Sequence, residues 1–351
     1  MEGLPRDALV HTLHYLDATD MRAVALVSRR LHDLQQTHPV LWEALFRLHW
    51  NVCNFFMDPS RRIELSPAVG AAYSNPSDAF RFLTHCLQRV PSFADIYLTN
   101  AHATSSLLQH RIEPVAYDNG QVVTLALAKG TDVGGNRCVR ANMPFDVSPR
   151  VSVMCTSRNT WLVDVLYDGY FEISISDACT TTPDAWDHQA DKCIAIGVAT
   201  AAFEVVDQQP GWDDHSYGYH SDDGQFFTDG QPRPFAATFG VHDTIGCGVE
   251  RNMVTHGSTL YFTKNGVRLD GTFPCNHEAL YPVVGLDADY TVRLNCGQMP
   301  FECPPPPSAA SVEALEELQA QPWAPCHQRK STCLITQLWR RVQVWLSGGA
   351  V

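Results

Sequence analysis

The sequence predicts an α+β multidomain protein. It divides into a small helical unit over residues 1–50, a helical connector over 51–113, an antiparallel two-sheet β-sandwich over 114–303, and a proline linker with C-terminal amphipathic helices over 304–351. Three observations carry this reading. Apolar residues recur at helical spacing near the N-terminus, whereas from about Pro114 they fall in short alternating runs divided by Gly and Asp turns. Four consecutive prolines, Pro304 to Pro307, then follow the last of those runs.

The first helix is expected just after Pro5, whose fixed φ and missing amide donor suit a first turn. Leu9, Leu13 and Leu16 then fall on one face at i, i+4 and i+7. Asp17 and Thr19 can each accept from the free amides of a second helix, with Met21, Val24, Ala25 and Val27 on its buried side, and a third continues through Leu31 and Leu34. His38-Pro39 interrupts that pattern before Leu41 to Phe46, another short amphipathic helix. A helical unit of about 50 residues buries too little surface to be stable by a wide margin, so docking on a partner would help it.

The Leu4-Pro5 start, the leucine ladder, Val27-Ser28-Arg29-Arg30 and Trp42, in this order and spacing, resemble an F-box. The resemblance implies a segment that does no chemistry itself and docks on a Skp-type adaptor of a cullin-RING ubiquitin ligase. Leu4, Pro5, Leu9, Leu13, Val27 and Trp42 then stand at the adaptor-binding positions.

Composition excludes several other classes. With 351 residues and 45% hydrophobic content the chain is long enough for two or more ordinary globular cores. A formal charge of -13 argues against a sequence-independent nucleic-acid binder, which needs a basic face to release phosphate counterions. No apolar run approaches the roughly 20 residues that span a bilayer, and the N-terminus lacks the basic-then-apolar order of a signal peptide. The expected compartment is cytosol or nucleus. The 12 cysteines lie dispersed among strand-like runs such as Arg137-Cys138-Val139 and Lys192-Cys193-Ile194, without any Cys-x-x-Cys pair. They are expected to be reduced small hydrophobes and not a disulfide framework or a zinc site.

In the connector, Pro76-Ser77-Asp78 has helix-start chemistry ahead of Phe80, Leu83 and Leu87, and Pro91 ends that helix. Phe55, Phe56 and Tyr73 are expected to pack against neighbours. Strands are expected at Val151-Ser152-Val153, Tyr170 to Ile175, Ala195 to Ala199 and Thr259 to Phe262, and Asn265-Gly266 supplies the positive φ of a tight hairpin turn.

Gly169-Tyr170-Phe171-Glu172-Ile173, Ile196-Gly197-Val198-Ala199, Pro210-Gly211-Trp212, Ser216 to His220, Asp222-Asp223-Gly224 and Phe239-Gly240 occur in a set order. Ile245 to Val249, Leu260 to Gly266 and Leu280 to Gly285 continue it. Together they resemble a SPRY domain of the Ran-binding-protein-M type over roughly residues 115–301. The resemblance implies a bent, jelly-roll-like two-sheet sandwich that binds peptide segments of other proteins through loops at one edge.

Between Lys192 and Arg233 there is no Lys or Arg, while Glu204, Asp207, Asp213, Asp214, Asp222, Asp223 and Asp229 all fall there. Trp212, Asp213, Asp214, Tyr217 and Tyr219 are the substrate-binding candidates, because aromatic side chains among charges commonly make hot spots. A substrate segment carrying Lys or Arg would suit them. Tyr219 and His220 also belong to the motif itself, and a buried structural role is the competing reading.

No catalytic or metal site is expected, and no cofactor. His215 and His220 with Asp222 and Asp223 are close in sequence, but alternation sends adjacent strand residues to opposite faces and no further ligand is indicated. There is no Gly-rich phosphate loop or Gly-x-Ser-x-Gly elbow. Asp177, Asp184 and Asp187 read as a solvated loop. After the prolines, Ser311 to Leu318 reads as a short helix. Leu334, Ile335, Leu338, Trp339, Val342, Trp345 and Leu346 then line one helical face, for which fold-back on the connector, a partner protein or a membrane surface are the open roles.

The sequence therefore points to a non-catalytic adaptor that brings a ligase core and a substrate protein together, its contribution being proximity. A ligase-independent SPRY scaffold for a signalling or trafficking complex is the alternative, which association with a Skp adaptor and cullin would separate.

Overall fold

Ser28 ends one helix and starts the next: its side chain accepts from the Leu31 amide at 3.4 Å, so α2 (Ala18–Val27) turns directly into α3 (Arg29–Thr37). In the computed structural model these helices follow α1 (Arg6–Leu13) and precede α4 (Leu41–Cys53). The structure describes residues 5–13, 16, 18–38, 40–93, 112–118, 121–127, 136–145, 148–167, 169–177, 193–251, 257–275, 277, 279–287, 290–303 and 310–321. The expectations for Leu4, Asp17, Asp184, Asp187, the proline run and the helix through Trp345 lie outside these residues.

Leu9 and Leu13 of the predicted ladder are buried, whereas Leu16 stands half-buried at a bend beyond α1. Leu9, Leu13, Met21, Leu31, Leu34, Leu41, Trp42, Leu45 and Phe46 share one core, and Trp42 Nε1 donates to the Gln35 carbonyl at 3.1 Å. The connector begins with a strand the sequence did not reveal, β1 (Ile63–Leu65), followed by α5 (Pro67–Ala72) and α6 (Pro76–His85). Each of these helices has proline in its first turn behind a side-chain cap, Ser66 to the Val69 amide and Asn75 to the Ser77 amide. Phe55 meets Trp50 edge-on with centroids 5.2 Å apart and Tyr73 packs on Phe82, whereas Phe56 is exposed.

Two sheets face each other to form the sandwich. The first contains β2 (Ile112–Asp118), β3 (Gln121–Leu127), β7 (Gly169–Asp177), β12 (Thr244–Arg251), β13 (Ser258–Lys264), β14 (Val267–Arg268) and β17 (Tyr290–Asn295). Its order is β14-β13-β12-β7-β17-β3-β2, with β15 (Phe273–Cys275) also paired to β13. The second contains β4 (Cys138–Arg140), β8 (Ile194–Ala199), β9 (Ser216–His220), β10 (Gln225–Thr228), β11 (Gln231–Pro234) and β16 (Tyr281–Leu286), ordered β11-β10-β9-β8-β16-β4. Every pairing within these two sheets is antiparallel. Phe171, Ile173, Ile196, Val198, Tyr219, Phe226, Phe262 and Val284 fill the space between them. Asn265 and Gly266 turn the chain from β13 to β14 with φ of 51° and 77°, as the Asn-Gly pair predicts.

One predicted sandwich strand lies elsewhere. Val151-Ser152-Val153 belongs to β5 (Arg150–Cys155), which pairs with β6 (Trp161–Leu166); β6 in turn pairs in parallel with β1, making a separate three-stranded sheet. Its Val151, Val153, Trp161, Val163 and Val165 join the core of the N-terminal helices. Alternation shows that a strand has a buried face but not which body buries it, so the 114 boundary does not separate the cores. The helix expected at Ser311 is α7 (Ala310–Ala320), and its Ala314, Leu315 and Leu318 return to the same helical core.

Asp164 ties these pieces together. Its carboxylate accepts from Ser66 Oγ at 2.6 Å and Ser311 Oγ at 3.2 Å, joining β6 to the starts of α5 and α7. Burial holds this carboxyl above the ordinary 3.8, against the hydrogen bonds that pull it down. Its ionisation therefore opposes folding: the wild type keeps full stability below the unfolded value and loses some as pH rises through the folded one. Asp164→Asn can retain both hydroxyl contacts, since Ser311 Oγ can accept from the amide. Urea denaturation from about pH 3 to about pH 6 should show the variant gaining on the wild type as pH rises.

A fragment of residues 110–303 leaves the inner face of β5–β6 bare and should bind hydrophobic dyes or aggregate. The full chain should melt cooperatively without doing so, as light scattering and dye fluorescence would report.

Candidate functional site

Gly218 lets a loop lie directly on β9, because a Cβ there would stand 2.1 Å from the Pro210 carbonyl oxygen. The loop over 209–216 is then fastened from within. Asp213 Oδ1 accepts from the His215 amide at 3.1 Å and from Ser216 Oγ at 2.6 Å, while Ser216 Oγ accepts from the Gly211 amide at 2.8 Å. The Asp229 amide donates to the Asp213 carbonyl and the Gly230 amide to the Gly211 carbonyl, each at 3.0 Å, which joins the loop to the β10–β11 turn.

This construction separates the sequence candidates. Trp212 stands 40% exposed beside His220, with ring centroids 6.4 Å apart. Asp214 is exposed; its carboxylate lies 3.5 Å from His215 Nε2, and its carbonyl accepts from His277 Nε2 at 3.1 Å. Asp213 is half-buried and occupied in the turn. Tyr217 and Tyr219 are not surface residues. Tyr217 stacks on Phe226, and Tyr219, with no exposure, packs among Phe235, Phe239 and Phe262 and donates its hydroxyl to the Ala237 carbonyl. Both point inward as alternate residues of a strand whose inner face is core.

His277 was not among the candidates. It sits edge-on to Tyr217 with centroids 6.0 Å apart and near His215 at 6.5 Å. No motif marks it, since it reaches the loop only through the fold. Glu204, Asp207, Asp214, Asp222, Asp223 and Asp229 are exposed around the loop, so the surface carries the negative charge read from the sequence. Asp223 also holds its turn, accepting from the Gln225 amide at 2.8 Å.

The helical unit presents a different surface from the one expected. Pro5 is exposed, but Leu9, Leu13 and Trp42 are each 2% exposed and face the internal core. The ladder that marks the segment is mostly what holds it together. Among the described residues of this unit, Leu26 at 87%, Val40 at 57% and Leu48 at 39% exposure are the large apolar side chains open to solvent. The side chain of Val27 lies outside the described residues.

A family model of the SPRY domain matches residues 169–299, and one described as F-box-like matches residues 1–48. The chain carries both domains. The SPRY match begins at the first residue of β7, where the chain leaves the helical core for the sandwich. Ran-binding protein 9 of Xenopus laevis is 42% identical over 113 residues, covering 32% of this chain and 20% of that protein. Its human counterpart is 42% identical over 109 residues, covering 30% and 14%. SPRY domain-containing protein 3 of Pongo abelii is 33% identical over 120 residues, covering 33% and 25%. The chain thus spans a quarter or less of these relatives' length. A crystal structure of a human SPRY domain aligns with 53% of this chain and 97% of its own, at 25% identity and a TM-score of 0.35.

The two adjacent aspartates should behave differently. Asp213→Asn weakens two hydrogen bonds in a half-buried turn and should cost about 1 kcal/mol, whereas Asp214→Asn on the open surface should change stability by less than about 0.5 kcal/mol. Chemical denaturation of each variant measures both.

Proposed function

We propose that this chain is a non-catalytic substrate-recognition subunit of a Skp–cullin–F-box-type ubiquitin ligase. The helical unit docks on a Skp-type adaptor, the sandwich captures a substrate protein, and bond-making is left to the E2 and RING components. The observation that carries the reading is the presence of an F-box-like segment and a SPRY domain in one chain. Its working compartment is the cytosol or nucleus, where buried thiols such as Cys138 and Cys247 stay reduced.

Exposed Leu26 and Val40 favour docking at the α2–α3 and α3–α4 ends of the helical unit. The 209–216 loop favours a substrate segment carrying Lys or Arg, with Trp212 as its apolar anchor and Asp214 as a rim charge. The buried ladder makes alanine substitutions at Leu9 or Leu13 tests of folding, not of docking.

Leu26→Asp removes an exposed contact and should leave thermal melting unchanged while lowering capture of a Skp-type adaptor at least about tenfold, as loss of an anchor does. Equal capture by the folded variant would remove the adaptor assignment.

For the substrate side, Trp212→Ala should speed dissociation of a captured basic segment, and Asp214→Asn should mainly slow its association. The charge effect should fade between 0.1 M and 1 M salt as the Debye length falls from about 10 Å to about 3 Å. Stopped-flow or surface-based kinetics would read both. Substrate binding indifferent to salt and to both variants would place recognition on another edge of the sandwich.

A further inference from the structure

The antiparallel register of β8 and β9 pairs Ala195 with His220. One step further along the same strands, the Ile194 amide donates to Ser221 Oγ at 2.8 Å while the Ser221 amide donates to the Ile194 carbonyl at 2.9 Å. The next step brings Cys193 opposite Asp222. Residues two apart on a strand share a face, so Cys193, His220 and Asp222 all project to one side of the sheet end. Their ligand atoms lie within 4.8 Å of one another, the one group of three such side chains with this closeness among the described residues. Alternation separates Asp222 from Asp223 but not from His220, and the missing further ligand is Cys193, which only strand pairing reveals.

We propose that Cys193, His220 and Asp222 form a binding site for one borderline-soft divalent cation, Zn2+ above the others. The donor set is one sulfur, one imidazole nitrogen and one carboxylate oxygen, which selects Zn2+ over Mg2+ or Ca2+. Tetrahedral coordination at ordinary Zn–N and Zn–O lengths sets donors about 3.4 Å apart, so a trio whose separations are bounded by 4.8 Å needs to close by at most about 1.4 Å. Asp222 lies exposed on a turn and can supply that movement.

The surroundings already have the form of an outer shell. His220 Nε2 donates to the Pro210 carbonyl at 2.8 Å, which leaves Nδ1 as the unprotonated nitrogen and holds the ring in place, as backbone carbonyls do for coordinating histidines. The Asp287 amide donates to the Cys193 carbonyl at 2.8 Å and fixes the start of β8. The Cys193 thiol donates to the Asp222 carboxylate, so sulfur and oxygen already face each other. A cation replaces that proton: the sulfur lone pair goes to the metal, the thiol proton leaves to solvent, and water fills the fourth position on the exposed side. The bound ion would pin the 221–224 turn to β8, next to the loop that carries Trp212.

The test uses the full chain, stripped with a chelator and titrated with Co2+ and then Zn2+. The expected result is thiolate-to-Co2+ charge-transfer absorption that saturates at one equivalent, bleaches on adding Zn2+, and is lost in Cys193→Ser. Asp222→Asn, at an exposed position, should fold normally and bind at least about tenfold more weakly, while Cys303→Ser should retain the wild-type signal. Absence of the band in wild type under excess Co2+ would overturn the proposal. So would an unchanged band in Cys193→Ser, which would mean binding at other cysteines only, or unchanged affinity in Asp222→Asn.

Discussion

The crossing between β6 and β7 is the constraint on which the rest of the molecule depends. Leu166 ends a strand buried in the helical core and Gly169 begins a central strand of the sandwich, so the chain passes from one hydrophobic body to the other with almost no backbone to spare. Gly169 allows this crowding, since a Cβ there would stand 2.0 Å from the Phe145 ring. Two further joins accompany it. The Cys155 amide donates to the Gly297 carbonyl at 2.9 Å, and Ser92 and Asn142 exchange hydrogen bonds at 2.9 and 3.0 Å. Phe93, from the end of the connector, is buried in the sandwich core beside Phe171. In the adaptor role proposed above, joins of this kind would set the distance and angle between the two domains' binding surfaces in a way that a flexible linker does not.

The same arrangement accounts for the stability of the helical unit. About 50 residues of short helices bury too small a fraction of their surface to stand alone comfortably. Here Leu9, Leu45, Phe46 and Trp50 share a core with β5, β6 and α7, which supply the missing apolar surface from sequence positions far downstream. Trp161 shows the dependence in one side chain: its ring packs on Phe55, Arg61 lies over it at 5.1 Å, and its Nε1 donates to the Asp58 carbonyl at 3.2 Å.

At the acidic end of the sandwich, a single motif serves two purposes by alternating between them. Tyr217 and Tyr219 are core, Asp213 and Ser216 build the turn, and Trp212 and Asp214 are left exposed. The aromatic and acidic residues that looked alike in the sequence are divided by strand alternation and by hydrogen bonding within the loop. His277, brought in from the segment before β16, completes a surface to which no local pattern assigns it.

The sequence by itself determined the kinds of element and the two domain families. The helix start at Pro76, the Asn265-Gly266 turn and the β7, β8 and β13 strands follow from local chemistry and periodicity, which act within a few residues and leave a direct trace in composition. The tertiary structure alone decided which core each element joins. Val151 and Val153 alternate as sandwich strands do, yet they pack on helices, because burial is satisfied by whichever apolar face lies opposite. It also decided which motif residues remain exposed, and it brought Cys193 beside His220 and Asp222, since pairing between strands is a long-range contact that no single segment encodes.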